Sequence, residues 1–579
     1  MKCAARVFPL SKAAALRLAA AILIAASAGV AIAQTASQVT ERDFAPPPQR
    51  LQGALVFSGE AGLAAPPGSE NLSIAISDVV VEGTLPELRV PTEALRQRLT
   101  RGRIAASELF EAASELEQAY VNEGFVLARV VLPAQELRDG GVLRLNVVNG
   151  FVEAIDASNV PEAIRPRLEV LTEPLVGQQG LRLRELERRI LLAGDTYGVA
   201  LGSALQAGAQ PGGTVIILDP EYRGVTGFVG FDNSLSDSLG NYKVDTGVEA
   251  NGLLGFGESI YGRLSFHPDE DLFDDPRLLT ASLGAVVPLG SEGLTFNLEG
   301  TNSQTNSQGD GPDLPSDFTR VSARLFYPWV RSRTFNLTTQ LAFDMQDDKL
   351  EIDTPAGTET IYEDRLRILR ASADAFWLFE NGGALELGGE LSVGLDGFGA
   401  RNASDVDDDD APLSREGTDA DFTKFQVTGR YRAPIADSFL LTVNGRMQTS
   451  FGDPLAIAEQ MGLASARELS PLDAGTLTGD SGWVLRGEIA RPFTMSASDR
   501  PLTLSPYAFA ATGAVFREEP SEDEEDETSA SAFGIGLDVF YEIEPRFSST
   551  SIRIEYGRGT RNDDVDDTDS LSIAANYRF

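Results

Sequence analysis

The chain has 579 residues, more than one ordinary domain holds, and with 42% hydrophobic against 23% charged residues it does not have the composition of a disordered polymer. Its 48 Lys and Arg stand against 86 Asp and Glu, a net charge of −38, which excludes nucleic acid as a partner because phosphate backbones are bound by basic side chains. One Cys and one His exclude thiolate zinc centres, thiol nucleophiles and structural disulfides, and no cofactor motif is present.

Residues 1–33 read as an export signal. Lys2, Arg6, Lys12 and Arg17 give a basic start, Leu18 to Ala28 is a short apolar run, and Ala31-Ile32-Ala33 predicts cleavage before Gln34. No later apolar run reaches the length of a membrane helix, which leaves a membrane β-barrel open. Residues 34–70 form a leader or linker broken by Pro46, Pro47, Pro48, Pro66 and Pro67.

Residues 71–150 predict a β-α-α-β-β unit. Strand 72–81 is followed by helices Pro91 to Leu99 and Ser107 to Asn122, then by strands 125–132 and 142–148. On the second helix Leu109, Ala113, Leu116 and Tyr120 share one face, and Gly124 caps its end. Residues 151–221 repeat the plan, so the N-terminal part is a tandem α+β repeat with two helices over one sheet face.

Residues 222–579 change character. Sixteen strand-like stretches run from 222–233 to 569–579, among them 334–346 and 363–377, and predict an all-β, 16-stranded antiparallel transmembrane barrel. The alternation is plainest in Phe533, Ile535, Leu537, Val539 and Tyr541, and again in Leu571, Ile573, Ala575, Tyr577 and Phe579. Soluble sandwiches alternate too, but the connections add a second signal. Those at 267–277, 302–317, 347–362, 396–420, 451–481, 514–530 and 558–568 are long and mostly acidic, whereas 288–292, 378–383, 491–500 and Glu544-Pro545 are short. Long outer loops and short periplasmic turns are the asymmetry of an outer-membrane barrel.

Few strings suggest chemistry. Gly479-Asp480-Ser481-Gly482 resembles a serine-nucleophile sequence, but its base could only be His267, which lies in another loop. Asp405, Asp407, Asp409 and Glu416 have the spacing of a calcium loop. Asp410 and Pro412 break that pattern, and a solvated outer loop is the reading that fits. Gly252 to Gly257 is a turn. The sequence offers no support for an enzyme.

Taken in order, the segments resemble the outer-membrane transporters of two-partner secretion, the haemolysin secretion/activation family, which is related to barrel-assembly insertases. The string Tyr120 to Leu137, with Gly124, Phe125, Leu132, Pro133 and Gln135, followed by Gly141 to Gly150, resembles the family's first polypeptide-transport-associated (POTRA) domain. Leu181 to Leu192 and Pro211 to Thr214 resemble the second, and Phe326 to Arg333 resembles a periplasmic turn of the barrel.

The resemblance implies that loop 451–481 folds back into the barrel as a gate. Its tip aligns with Ala466 to Leu469, which makes Arg467 the inward base, and a following element is intact in Asp480, Gly482 and Trp483. The expected acidic partner lies in a Phe-x-Asp-x-Gly string, but here Phe509 to Gly513 carries Ala511 at that position. Arg486, Glu488 and Asp538 face inward by alternation, and Glu488 or Asp538 is available instead. Tyr577 and Phe579 resemble the terminal signal for barrel insertion.

The resemblance further implies a β-helical exoprotein as cargo, received by the tandem domains in the periplasm. Its other implied partners are outer-membrane lipid, lipopolysaccharide and the barrel-assembly machinery. The leader 34–70 would enter the pore as a plug. Two alternatives stay open: an insertase of other barrels, and a diffusion porin with a periplasmic binding module.

Overall fold

A computed structural model describes residues 34–40, 55–57 and 65–579, except for 270–271, 273–274, 308–312, 356, 408, 437, 474, 522–523 and 564. The predicted export signal and most of the leader lie outside the described residues. The leader contributes one helical turn, Ala36–Val39, and one strand, β1 (Leu55–Phe57).

The first repeat is built from β2 (Ser73–Glu82), β3 (Arg103–Ala105), β4 (Arg129–Val131) and β5 (Gly141–Val148), with helices Arg89–Leu99 and Ala106–Asn122 on one face. The second helix buries Leu109, Ala112, Ala113, Leu116 and Tyr120, the three-to-four spacing of an amphipathic helix. It ends at Gly124 (φ +92°), where Gly124 N–H donates to Val121 O and Phe125 N–H to Tyr120 O. These are the two bonds of a left-handed C-terminal cap.

The second repeat uses β6 (Phe151–Asp156), β7 (Val199–Ala207) and β8 (Gly213–Tyr222), with helices Arg165–Thr172 and Leu183–Gly194. In both repeats the first strand pairs parallel with the last, and the last pairs antiparallel with the one before it. The leader strand β1 adds parallel to the edge of β7. The two repeats share a core, since Val126 and Leu127 of the first pack among Val152, Ile164, Leu186 and Ile216 of the second.

The rest of the chain closes into a barrel. Its staves are β9 (Val225–Asp232), β10 (Lys243–Asn251), β11 (Ser259–Phe266), β12 (Leu278–Leu289), β13 (Leu294–Ser307), β14 (Leu314–Arg331), β15 (Phe335–Thr354), β16 (Gly357–Leu378), β17 (Ala384–Gly394), β18 (Thr423–Ala436) and β19 (Phe439–Thr449). Two short strands, β20 (Met461–Gly462) and β21 (Thr478–Gly479), form a hairpin in the next outer loop. The barrel resumes with β22 (Ser481–Ala490), continued by β23 (Phe493–Ala497), and then β24 (Arg500–Phe516), β25 (Glu527–Glu544), β26 (Ser548–Arg561) and β27 (Thr568–Arg578). Because β22 and β23 pair with the same neighbour, the barrel has sixteen staves. The predicted sixteen-stranded antiparallel barrel after a tandem α+β repeat is the fold observed. Closure pairs every stave with two neighbours, as hydrocarbon demands of backbone polar groups.

Two predicted outer loops are corrected. Residues 347–362 are mostly strand, because β15 and β16 run on to Thr354 and Gly357, and 302–317 likewise gives up its ends to β13 and β14. Strand that rises above the lipid is wet on its outer face and loses the apolar half of the alternation.

The second repeat docks on the short-turn end of the barrel. Arg167 and Arg189 donate to the carbonyls of Gly290 and Ser291, and Arg188 donates to those of Pro328 and Glu292. Burial lowers the Arg167 guanidinium to about 10, so it is still charged at neutral pH. Arg331 meets Asp195 bidentately at 2.8 and 2.7 Å. The string Phe326 to Arg333 therefore serves as the seat of the second repeat. Replacing Arg331 with alanine should weaken this seat by about 2 kcal/mol, between the values for exposed and buried pairs. The expected readout is faster proteolysis between residues 221 and 225 with an unchanged heat-modifiable barrel band.

Candidate functional site

Inward-facing positions of the barrel are dominated by polar and charged side chains, and three groups of the chain fill the lumen against them. The first is loop 450–480. Its Met461, Leu463, Leu469, Leu472 and Leu477 pack on Val484, Tyr507, Phe509, Ala511, Val515 and Ala532 of the wall. Ala511 stands where the resemblance expects an acid, and it lies in the apolar floor beneath the loop.

The second group is a set of buried ion pairs that pin this loop. Asp480 is fully buried and accepts from Arg415 Nη1 at 2.7 and 3.0 Å, from the N–H of Leu455 and of Glu518, and from Gln460 Nε2. One carboxylate thus joins three outer loops. Glu459 takes Arg370 at 2.7 and 3.2 Å and also pairs with Lys424, while Arg370 Nε reaches Asp344 at 2.7 Å. Glu468 takes Arg446 at 2.8 and 2.7 Å.

Arg486 is the largest fully buried side chain among the described residues. Its guanidinium lies 3.7 Å from the Phe509 ring centroid. It donates to Glu488 at 2.7 Å, to Glu555 at 2.5 Å, to Ser470 Oγ at 2.8 Å and to the Glu468 carbonyl at 3.1 Å. Arg553 in turn reaches Glu488 at 2.7 Å and Asp538 at 3.5 Å.

The third group is the leader turn. Ala36 N–H donates to Ser316 Oγ, Thr305 Oγ1 donates to Gln34 O, Ser236 N–H donates to Gln34 Oε1, and Gln38 Nε2 donates to Gly475 O. A single turn of helix therefore sits between the wall and the folded-in loop.

The sequence-predicted residues fall as follows. Arg486, Glu488 and Asp538 meet in the lumen, as their parity indicates. Arg467 is exposed and makes no ion pair among the described residues. Glu488 and Asp538, the partners available to it, are engaged by Arg486 and Arg553, so the loop is held by Glu468 and by a strand arginine rather than by its own arginine. Gly482 is required by close packing, since a Cβ there would lie 2.7 Å from Ala514 O. Trp483 faces outward, away from the lumen.

In the first repeat, Phe125 is buried against Tyr120 and beneath Arg182, and Gly124 O accepts from Leu183 N–H. Leu132 packs on the core, and Pro133 O accepts from Gln135 Nε2. The Gln135 amide also pairs both ways with the Arg144 backbone, in the manner of a strand. These five residues hold the repeat together and join it to the next. Tyr577 and Phe579 stack, and Phe579 exchanges two backbone bonds with Gly227 across the closing seam.

Ser481 Oγ accepts from Ser450 N–H, and the His267 ring meets Tyr242 O; the two are not in contact. Asp405 turns back to Asn402 N–H, and no group of three potential metal ligands converges among the described residues.

Sequence reasoning missed Arg370, Arg415, Lys424, Arg446, Glu459 and Glu555. Strand parity places Arg370, Lys424, Arg446 and Glu555 inside, but no spacing names their partners. A cavity of about 500 Å³ lies between the second repeat and the periplasmic mouth of the barrel, lined among others by Tyr197, Arg263, Arg331, Phe547 and Phe579.

The profile of the family described as haemolysin secretion/activation protein ShlB/FhaC/HecB matches residues 212–539, and that of the ShlB-type POTRA domain matches 74–150. The heme/hemopexin transporter protein HuxB of Haemophilus influenzae is 26% identical over 250 residues, 42% of this chain and 43% of that protein, so the alignment spans under half its length. The haemolysin transporter protein ShlB of Serratia marcescens is 23% identical over 88% of this chain and 86% of its own. The solved structure of CdiB from Escherichia coli superposes with a TM-score of 0.67 at 18% identity, covering 98% of each chain. That of CdiB from Acinetobacter baumannii gives 0.59 at 14% identity over 98% of this chain and 97% of that one. With this barrel, this tandem repeat and these matches, the chain belongs to the haemolysin secretion/activation protein family, its barrel in the outer membrane and its POTRA repeats in the periplasm.

Proposed function

We propose that the chain conducts an unfolded, β-rich exoprotein across the outer membrane by two-partner secretion, and that it acts as a conduit and not as an enzyme. The names of its relatives support this reading: HuxB is a heme/hemopexin transporter, and ShlB and the HpmB of Proteus mirabilis are haemolysin transporters.

One observation carries the receptor part. The edge of β7 already holds an extended segment of the chain's own leader, with Leu55, Val56 and Phe57 in register with Ser203, Ala204 and Leu205. Strand addition uses main-chain hydrogen bonds and tolerates any side-chain sequence, which suits a moving polypeptide. Cargo takes the place of β1, passes the cavity beneath the barrel and threads the lumen as loop 450–480 and the leader turn give way. Folding outside the cell sets the direction, and the barrel-assembly machinery inserts the transporter itself.

The test is secretion of the exoprotein encoded beside this chain. Deleting residues 71–221 should abolish export, whereas Val56→Pro, which weakens β1, should increase cargo cross-linking to β7. Normal export without residues 71–221 would overturn the receptor role. Steady conductance of the unmodified chain, unchanged when residues 451–479 are removed, would favour a porin.

A further inference from the structure

The outer wall of β15 and β16 carries an arrangement that secretion does not require. On the lipid-facing side the cross-strand pairs, read upward from the periplasm, are Phe335 with Trp377, Phe343 with Leu369, Met345 with Arg367, Asp347 with Arg365, and Lys349 with Glu363. Phe335 and Trp377 stack at 4.9 Å at the periplasmic end. Arg367 lies ten residues above Trp377. At about 3.3 Å per residue and a tilt of about 40°, that is about 25 Å of height, the thickness of the apolar band of such barrels. Arg367 therefore sits at the upper rim of the hydrocarbon, with Arg365 and Lys349 just above it.

The loop after β17 is folded onto this rim. Leu395 N–H donates to Arg367 O and Arg401 N–H to Arg365 O, so residues 396–400 protrude from the sheet between them. Arg367 is spent on holding the protrusion: it donates to Phe398 O at 3.1 Å, to Gln346 O at 3.0 Å and to Asp347 at 2.9 Å. Phe398 at the tip has φ +52° and is 77% exposed, and its ring packs edge-on against lipid-facing Phe343 at 5.8 Å. A left-handed backbone is unusual for a bulky residue, and an aromatic ring is poorly placed in water. Both features fit a ring seated among acyl chains.

The bases above the tip are each paired with a carboxylate and remain part-exposed. Arg365 spends Nε and Nη2 on Glu363 and turns its remaining edge outward, with its side chain 49% exposed. Lys349 is paired with Glu351 and is 39% exposed. Arg401 lies beside them, anchored on Glu363 O. Four bases stand beside four carboxylates, Asp347, Glu351, Glu363 and the exposed Asp396 of the protrusion, a local balance in a chain whose net charge is −38. By contrast Arg558, an outward base on β26, has Asp567 at 2.8 Å and Asp569 at 3.9 Å.

We propose that this wall is a lipopolysaccharide site, in which Phe398 and Phe343 contact the acyl chains of lipid A and Arg365 and Lys349 take one of its phosphates. The proposal rests on the outer-membrane position of the barrel and is independent of the secretion reading. The full chain, extracted from outer membranes in mild detergent, is weighed by native mass spectrometry, and heat-modifiability reports the folded barrel. The wild type and Arg558→Glu should retain lipopolysaccharide. The double variant Lys349→Glu, Arg365→Glu should retain about tenfold less, the ratio that about 1.4 kcal/mol of lost affinity gives. Phe398→Ser removes a ring and no charge, and it should lower retention with the gel shift unchanged. Equal retention in all four proteins, or a wild type that carries phospholipid and no lipopolysaccharide, would overturn the assignment.

Discussion

Replacing Asp480 with alanine is expected to free loop 450–480 from the lumen and turn a closed barrel into a conducting one. The carboxylate is fully buried and is the counter-charge of Arg415, whose side chain is only 9% exposed. Removing one partner of a buried pair costs about 3–5 kcal/mol, because the other charge stays desolvated. The N–H groups of Leu455 and Glu518 lose their acceptor as well, at about 1–3 kcal/mol each if they stay dry. The lower figure for the ion pair alone shifts the open-to-closed ratio by about a hundredfold. Single-channel recording should show rare openings in the wild type and frequent large ones in the variant, with heat-modifiability unchanged. A variant that stays closed would remove Asp480 from the list of pins.

Arg486→Ala should damage the barrel itself. The guanidinium is enclosed between Phe509, Glu488 and Glu555, and without it the Glu555 carboxylate, 3% exposed, keeps only hydroxyl partners and the more distant Arg553. About 3–5 kcal/mol is again the expected loss, read as a lower urea midpoint for the heat-modifiable band. Arg486→Lys should restore little. An ammonium cannot bridge two carboxylates in one plane while lying flat on a phenyl ring. A midpoint equal to wild type in Arg486→Ala would contradict the assignment of this group as the core of the lumen.

Much of the architecture was legible in the sequence because lipid imposes a rule on it. Phe533 to Tyr541 and Leu571 to Phe579 alternate since one face meets hydrocarbon, and the long connections fall on one parity since one end of the barrel meets the cell exterior. The same rule identified Arg486, Glu488 and Asp538 as luminal. It does not act where strands leave the membrane, so the outer thirds of β15 and β16 were taken for loop. Nor does it choose partners. The tip Arg467 was the inward base by resemblance, but Ala511 leaves it no acid, and Arg486 from the neighbouring stave lies over Phe509. Asp480 was visible as part of a recurring element, while Arg415, which neutralises it, lies 65 residues away in a loop that reads only as acidic surface. The resemblance put the leader 34–70 in the pore as a plug, but that residues 34–40 enter it and hold Ser316 and Thr305 is a matter of tertiary placement.

The depth of these pins bears on the habitats in which the closed barrel stays shut. The Debye length is about 8 Å in physiological saline and about 3 Å at 1 M salt, and dissolved ions weaken only the attractions they can surround. Arg486 and Asp480 have no exposed side-chain surface, and Glu459 has 3%. From fresh water to brine, the closed conformation should therefore be insensitive to the salinity outside the cell.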